Sequence, residues 1–317
     1  MKAAGKSEKS KPKMWKRLLL GLLVLLVLIT IGLLAVIPSL VVGPWINQHV
    51  DFSTVYNPTD FDLEVRELHL VTSDQYTISA FEVEAEKPQG VIIFISGIQN
   101  PSVTAFYGHA RLFQEHGYAS ILYDMRGHGQ SSGDGICFGY LEPRDTQAVV
   151  DYILSQERYS GVPIIVFGLS MGGAVAINSI GQIPEIAGLI SLSAYSSFED
   201  MFIENMRASG APEVLTVLER PFVKMYSLLK FGWDTKNIYP TKQIQNLKER
   251  PALLLHSTED SQVSYANLQR ITDHAPSHVE TWVRTGDEHF ITYDFLNPEN
   301  DPEYIERILK FLKENFS

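Results

Sequence analysis

The stretch that most constrains this chain is Val162-Pro163-Ile164-Ile165-Val166-Phe167-Gly168-Leu169-Ser170-Met171-Gly172-Gly173. A short run of mostly β-branched apolar residues stops at Gly-Leu-Ser-Met-Gly, and a second apolar run, Ala174 to Ile180, begins at once. This pattern predicts a buried strand, a very tight turn and a helix. Gly168 and Gly172 leave space where strand and helix crowd the turn. Ser170 is held between them in a strained backbone conformation, its hydroxyl raised above the strand end. The helix starting beneath that hydroxyl presents N–H groups and a positive dipole end, which favour negative charge there.

The same alternation recurs along the chain. Leu63–Val71 and Tyr76–Glu84 alternate apolar and polar residues around Ser73-Asp74, which predicts an antiparallel hairpin. Val91–Ser96 is a solid apolar run, as expected of a strand covered on both faces. Helices are expected over Ser102–His116, Glu142–Ser155 and Tyr304–Phe316, and further strands over Tyr118–Asp124, Ile186–Ser193, Ala252–Ser257 and Val279–Arg284. Strands alternating with helices after an opening hairpin imply an α/β fold, with a mostly parallel central sheet and helices on both faces. The interval 195–248 breaks the rhythm with Phe198, Met201, Phe202, Met206, Phe222, Met225, Phe231 and Trp233, spaced helically in places. It reads as a small helical lid whose apolar side lines an acyl or alkyl pocket.

Near the start, Leu18 to Ile37 is a run of 20 residues without charge. At about 1.5 Å per residue it reaches roughly 30 Å, the thickness of bilayer hydrocarbon. Pro38 is expected to close it, and Trp45 suits the far interface. A cleaved signal has a shorter apolar core and a small-x-small site; Ala35-Val36-Ile37-Pro38-Ser39 offers neither, so the reading is an uncleaved transmembrane anchor. The chain carries a net charge of −11, yet residues 1–17 hold seven basic residues against Glu8 alone. The basic tip belongs in the cytoplasm, which places the remainder outside the membrane on the extracytoplasmic side. The expected organisation is a basic tip over 1–17, an anchor over 18–37, a linker over 38–60 and one catalytic domain over 61–317. The acidic body argues against nucleic acid as a partner.

Four segments together resemble the α/β-hydrolase superfamily: Gly168-x-Ser170-x-Gly172, Asp124-Met125-Arg126-Gly127-His128-Gly129-Gln130-Ser131, Leu254-Leu255-His256-Ser257-Thr258-Glu259-Asp260 and Gly286-Asp287-Glu288-His289. The resemblance runs from about Leu63 onward and is nearest to the serine hydrolases grouped with monoacylglycerol lipases and prolyl-type aminopeptidases. It is also similar to membrane-anchored bacterial hydrolases of unassigned substrate. It implies a lid between the elbow and the acid strand, where the apolar interval lies.

A serine hydroxyl needs a base within hydrogen-bond reach, and the base needs a carboxylate to hold its tautomer. In this fold the chain order is Ser, then Asp or Glu, then His. Ser170, Asp260 and His289 fit that order, the last two each following a strand end. Glu259 is the rival acid. His274 and His278 also follow Asp260 but precede the last strand. His128 precedes the serine, and the resemblance implies a structural loop there, braced by Asp124 and Arg126. The single cysteine, Cys137, permits no disulfide framework, and no elbow surrounds it. The oxyanion donors are expected to be the backbone N–H groups of Met171 and, in the loop after Val91–Ser96, Ile98. No metal or dinucleotide motif is present, and the chemistry needs no cofactor. The expected activity is hydrolysis of a carboxylic ester, or less favourably an amide, of a small or lipid-like substrate through an acyl-enzyme. The alternatives are an acyltransferase using the same triad and a non-catalytic binding domain.

Overall fold

The computed structural model describes residues 12–316, so most of the basic tip lies outside the described residues. In chain order the main elements are α1 (Pro12–Ile46), β1 (Arg66–Val71), β2 (Thr77–Val83), β3 (Gly90–Ile95), α2 (Tyr107–Glu115), β4 (Tyr118–Tyr123), α3 (Pro143–Ser155), β5 (Ile164–Leu169), α4 (Met171–Gln182) and β6 (Ile186–Leu192). There follow α5 (Phe198–Ala208), α6 (Glu213–Phe231), α7 (Pro240–Gln243), β7 (Ala252–Ser257), α8 (Ala266–Thr272), β8 (Glu280–Arg284) and α9 (Pro302–Phe316). The eight strands form one sheet in the order β1-β2-β4-β3-β5-β6-β7-β8. The first two pairings, β1 with β2 and β2 with β4, are antiparallel; the rest are parallel. This is the α/β fold, with an opening hairpin, that the alternating pattern predicts.

Strand periodicity divides the core in two. Along β5, Ile164 and Val166 point into one cluster and Ile165 and Phe167 into the other. Along β3, Val91, Ile93 and Ile95 share the first cluster, and Ile92 and Phe94 the second. Every residue of both strands is buried, because a parallel sheet needs cover on each face. The first face is covered by α3 and α4, with Val149, Ile153, Val175 and Ile180; the second by α2 and α9, with Tyr107, Phe113, Tyr304 and Phe311. Between β6 and β7 lie α5 and α6, which pack on one another as the lid, and α7, which packs on α4. Between β7 and β8 lies the short α8, for which the sequence pattern carried no expectation.

Helix α1 departs from the expected boundary. It does not end at Pro38 but continues through Pro38 and Pro44 to Ile46, so the stretch expected to begin a linker is helical. A proline inside a helix forfeits one hydrogen bond and strains the turn before it. Here tertiary packing outweighs that cost. Leu34, Pro38, Val42 and Ile46, four residues apart, form one buried stripe, and the end of α1 packs against α6. Residues Met14–Ile46 are long and apolar enough to cross a membrane. At about 1.5 Å per residue they span roughly 50 Å, more than the hydrocarbon requires; the surplus is the part that packs on the body.

The segment after α1 is sewn into the body. Ile136 N–H donates to the Ile46 carbonyl (3.1 Å), Val50 N–H to Gly127 (2.8 Å) and Gly129 N–H to Val50 (2.9 Å). The Asn100 side-chain oxygen accepts from the N–H groups of Ser53 (2.9 Å) and Thr54 (3.0 Å). The His49 ring faces two carbonyls, Gly133 from Nδ1 (2.8 Å) and Gly129 from Nε2 (3.0 Å). Only the imidazolium carries both N–H donors. The Gly133 carbonyl is the largest influence, and with Gly129, Asp51 and Asp134 it raises the His49 pKa despite partial burial. A raised folded-state pKa contributes stability that is complete below the ordinary value of about 6.5 and is lost as pH rises through the folded value. The melting-temperature gap between wild type and His49→Ala is therefore expected to be wider at pH 6 than at pH 9. A gap independent of pH would show that the ring is not held as a cation.

Candidate active site

Helix α4 begins one residue after β5 ends, and Ser170 is the residue between them. Its φ of 57° and ψ of −119° lie where a side chain is rarely tolerated. The conformation is pinned from both sides: Ser170 N–H donates to the Leu192 carbonyl (2.8 Å), and Ala174 N–H donates to the Ser170 carbonyl (3.1 Å). The two flanking glycines are required by contact. A Cβ on Gly172 would sit 2.2 Å from the Ile95 carbonyl oxygen and 2.3 Å from that of Ser96. One on Gly168 would sit 2.1 Å from the Gly172 oxygen. The end of β3 is therefore packed directly on the start of α4, and the loop after β3 is delivered to the serine.

Strands β7 and β8 bring up the acid and the histidine. Asp260 and His289 occupy the loops that follow these neighbouring strands, and His289 Nδ1 lies 2.7 Å from Asp260 Oδ2. The other carboxylate oxygen accepts the N–H groups of Gln262 (2.8 Å) and Val263 (2.9 Å). Burial alone would raise the Asp260 pKa; the hydrogen bond and charge of His289, helped by the two amides, override it and hold the carboxyl below its ordinary value. An ionised Asp260 accepts the Nδ1 proton and leaves Nε2 of His289 available as the basic nitrogen. The histidine loop is pinned by two hydroxyls, Ser193 Oγ donating to the His289 carbonyl and Ser257 Oγ to that of Glu288, both at 2.7 Å.

Two cavities meet at Ser170. One, of about 160 Å³, is lined by the loop Ser96–Ser102 together with Ser170, Gln262, His289 and Phe290. The other, of about 440 Å³, is mostly apolar, runs under the lid and is also bordered by Ser170, Met171, Ile98 and Gln262. The fold thus gathers Ser170, His289 and Ile98 around the smaller cavity and Ser170, Ile98 and Met171 around the larger, with Asp260 behind the histidine. The remaining candidates lie elsewhere. Glu259 is exposed, whereas Asp260 is buried. His274 and His278 bond to backbone carbonyls of Arg270 and Arg250, away from these cavities. Burial raises the Cys137 thiol well above its usual range, so it is a poor nucleophile.

His128 adjoins the loop that carries Ile98, with Nε2 3.2 Å from the Ile98 carbonyl and Nδ1 2.9 Å from that of Arg126. Burial lowers its pKa. Arg126, itself buried, joins Asp145 (2.7 Å) and Asp74 (2.8 Å) and lies over the Tyr76 ring. Asp124 is buried in the same loop, and burial raises its pKa to about 6. His256 flanks Asp260 at 3.7 Å while its Nε2 meets the Val263 carbonyl at 2.8 Å; burial lowers its pKa as well. Sequence reasoning assigned no role to His256, Ser193, Ser257 or Gln262. His256 and Ser257 lie within the segment Leu254–Asp260 that carries part of the resemblance, whereas Ser193 and Gln262 have no such mark in the sequence.

A parallel sheet with a serine on its central elbow and a carboxylate–imidazole pair on later strand ends defines an α/β-hydrolase. Residues 86–250, just over half of the chain, match the family described as serine aminopeptidase, S33, and the chain belongs to that family of hydrolases. Among curated relatives, an uncharacterized Bacillus subtilis protein, YqkD, is 23% identical over 239 residues, covering 75% of each chain. Human monoglyceride lipase is 30% identical over 129 residues, covering 39% of this chain and 42% of its own. Among solved structures, an esterase of Pyrococcus furiosus superposes with a TM-score of 0.66 at 21% identity, covering 85% of this chain and 99% of the esterase.

Asp260 supplies a test that needs no substrate. Its depressed pKa contributes stability that is present above the ordinary carboxyl value and lost as pH falls through the folded value. The difference in melting temperature between wild type and Asp260→Asn should be largest near neutrality and shrink below about pH 4. A difference that grew on acidification would mean that Asp260 is protonated in the native state.

Proposed function

We propose that this protein is a membrane-anchored serine hydrolase that cleaves a carboxylic ester through an acyl-enzyme, with Ser170 as nucleophile, His289 as base and Asp260 as the group that orients it. The observation that carries the reading is the convergence of a strained elbow serine and an aspartate-bound imidazole on one cavity. Ser170 Oγ attacks the carbonyl carbon and passes its proton to His289 Nε2. The Asp260 carboxylate stabilises the resulting imidazolium. The oxyanion is met by the N–H groups of Met171, at the first turn of α4, and of Ile98, each worth about a hundred- to a thousand-fold in rate. The imidazolium then protonates the departing alcohol. Water repeats the cycle in the second half, giving up one proton to His289 and releasing the acid.

The lining favours ester over aminopeptidase chemistry. Recognition of a free amino terminus calls for a carboxylate near the scissile bond, and among the described residues no acidic one lines either cavity at Ser170. The carboxylate of Glu204, in a neighbouring hollow, is already paired with Arg270 and Asn267. The larger, apolar cavity suits an acyl group and the smaller, polar one an alcohol. The relatives named monoglyceride lipase and esterase agree with this preference. Helix α1 anchors the chain, with its basic flank in the cytoplasm and the catalytic body on the other side.

Ser170→Ala is expected to abolish both ester turnover and labelling by a fluorophosphonate, and Asp260→Asn to lower kcat about 10⁴-fold. Esterase assays and gel fluorescence on the purified full chain check this; labelling that persists in Ser170→Ala would refute the assignment.

A further inference from the structure

We propose that the anchor helix is itself part of the substrate site: the end of α1 forms one wall of the acyl pocket and sets the chain length that the enzyme accepts. Val41, Val42 and Trp45 of α1 line the larger cavity, facing Met201, Phe202 and Met206 of the lid helix α5, and the cavity floor reaches Ser170. An anchor serving only as a tether would have no reason to reach the nucleophile's cavity. This one continues past the length a bilayer needs, through two prolines, and packs on α6. The segment behind it is bonded to the loop that carries Ile98, through Asn100 and through the Val50 bridge to His128. The wall is thereby held at a set distance from the reacting carbonyl.

The cavity volume of about 440 Å³ lies within the range of small-molecule pockets, about 300–1,000 Å³. Among the described residues, none that lines it is charged. The occupant it fits is the extended alkyl chain of an acyl group, its carbonyl at Ser170 and its tail between α1 and α5. The inference rests on the hydrolase reading above and names the part of the site that selects the acyl chain.

The test uses the full chain in detergent micelles and two esters of one alcohol, acetyl and dodecanoyl. The measured quantity is the ratio of kcat/KM for the longer over the shorter. Val41 is half exposed, so Val41→Trp can be accommodated while its indole fills the pocket; the ratio should fall roughly tenfold or more. Trp45→Ala, which removes an apolar contact with the chain, should also lower the ratio, by several-fold. Leu40→Trp, on an exposed position of the same helix outside the cavity, should leave the ratio as in wild type. Fluorophosphonate labelling of Ser170 reports that each variant is folded. Wild-type ratios in both pocket variants, with Ser170-dependent turnover of both esters intact, would overturn this inference alone. Turnover that does not depend on Ser170 would overturn the hydrolase reading and this inference with it.

Discussion

The structure depends on a place where three stretches of backbone touch with no side chain between them. The end of β3, the end of β5 and the start of α4 approach so closely that a single methyl on Gly172 would overlap two carbonyl oxygens. That contact forces Ser170 into its unusual conformation and sets the loop carrying Ile98 beside it. Parallel order does the rest. Strands β5, β6, β7 and β8 are neighbours in the sheet in the same order as in the chain, so the loops leaving them open on one edge. Ser170 and His289 border one cavity there, with Asp260 bonded to the histidine, although the chain between them also folds into the lid and the helices α4 and α8.

The loop 124–136 serves as a keystone for the surroundings. Arg126 is buried and shared between Asp74 from the hairpin and Asp145 from α3. A buried ion pair contributes little net stability once desolvation is counted, and its use is to fix register. Here the register matters because the same loop holds the tail of α1 on one side and, through His128, the Ile98 carbonyl on the other. His289 is held in the same manner, by the Ser193 hydroxyl on its own carbonyl, the Ser257 hydroxyl on that of Glu288 and a carboxylate on its ring. Positioning in this site is carried largely by bonds to main-chain carbonyls.

That accounts for what could be read from the chain and what could not. The elbow was legible because glycine spacing and a switch from strand to helix leave a local signature. The strand ends that carry Asp260 and His289 were legible, the first after the apolar run Ala252–Leu255 and the second after the mixed stretch Val279–Arg284. Most supports were not: Ser193 and Ser257 act on carbonyls of distant segments and His256 on that of Val263, and a carbonyl leaves no mark in a sequence; for His128 the resemblance implied a structural loop but not its contact with Ile98. The end of α1 was misjudged for a related reason. Proline at position 38 argues locally for a stop, whereas the four-residue stripe from Leu34 to Ile46 has meaning only beside α6. The lid was legible as apolar, though the share of its pocket supplied by α1 was not.

In the membrane-anchored reading proposed above, the bonds that knit residues 46–56 into the body make the anchor a stem and not a slack tether. A body on a slack tether sweeps a hemisphere and samples whatever drifts past at many heights and angles. A body fused to its stem through backbone bonds holds its mouth at one altitude and one tilt. Its working territory is a thin sheet parallel to the plane in which the stem is planted, and neighbours in that sheet are the molecules it meets.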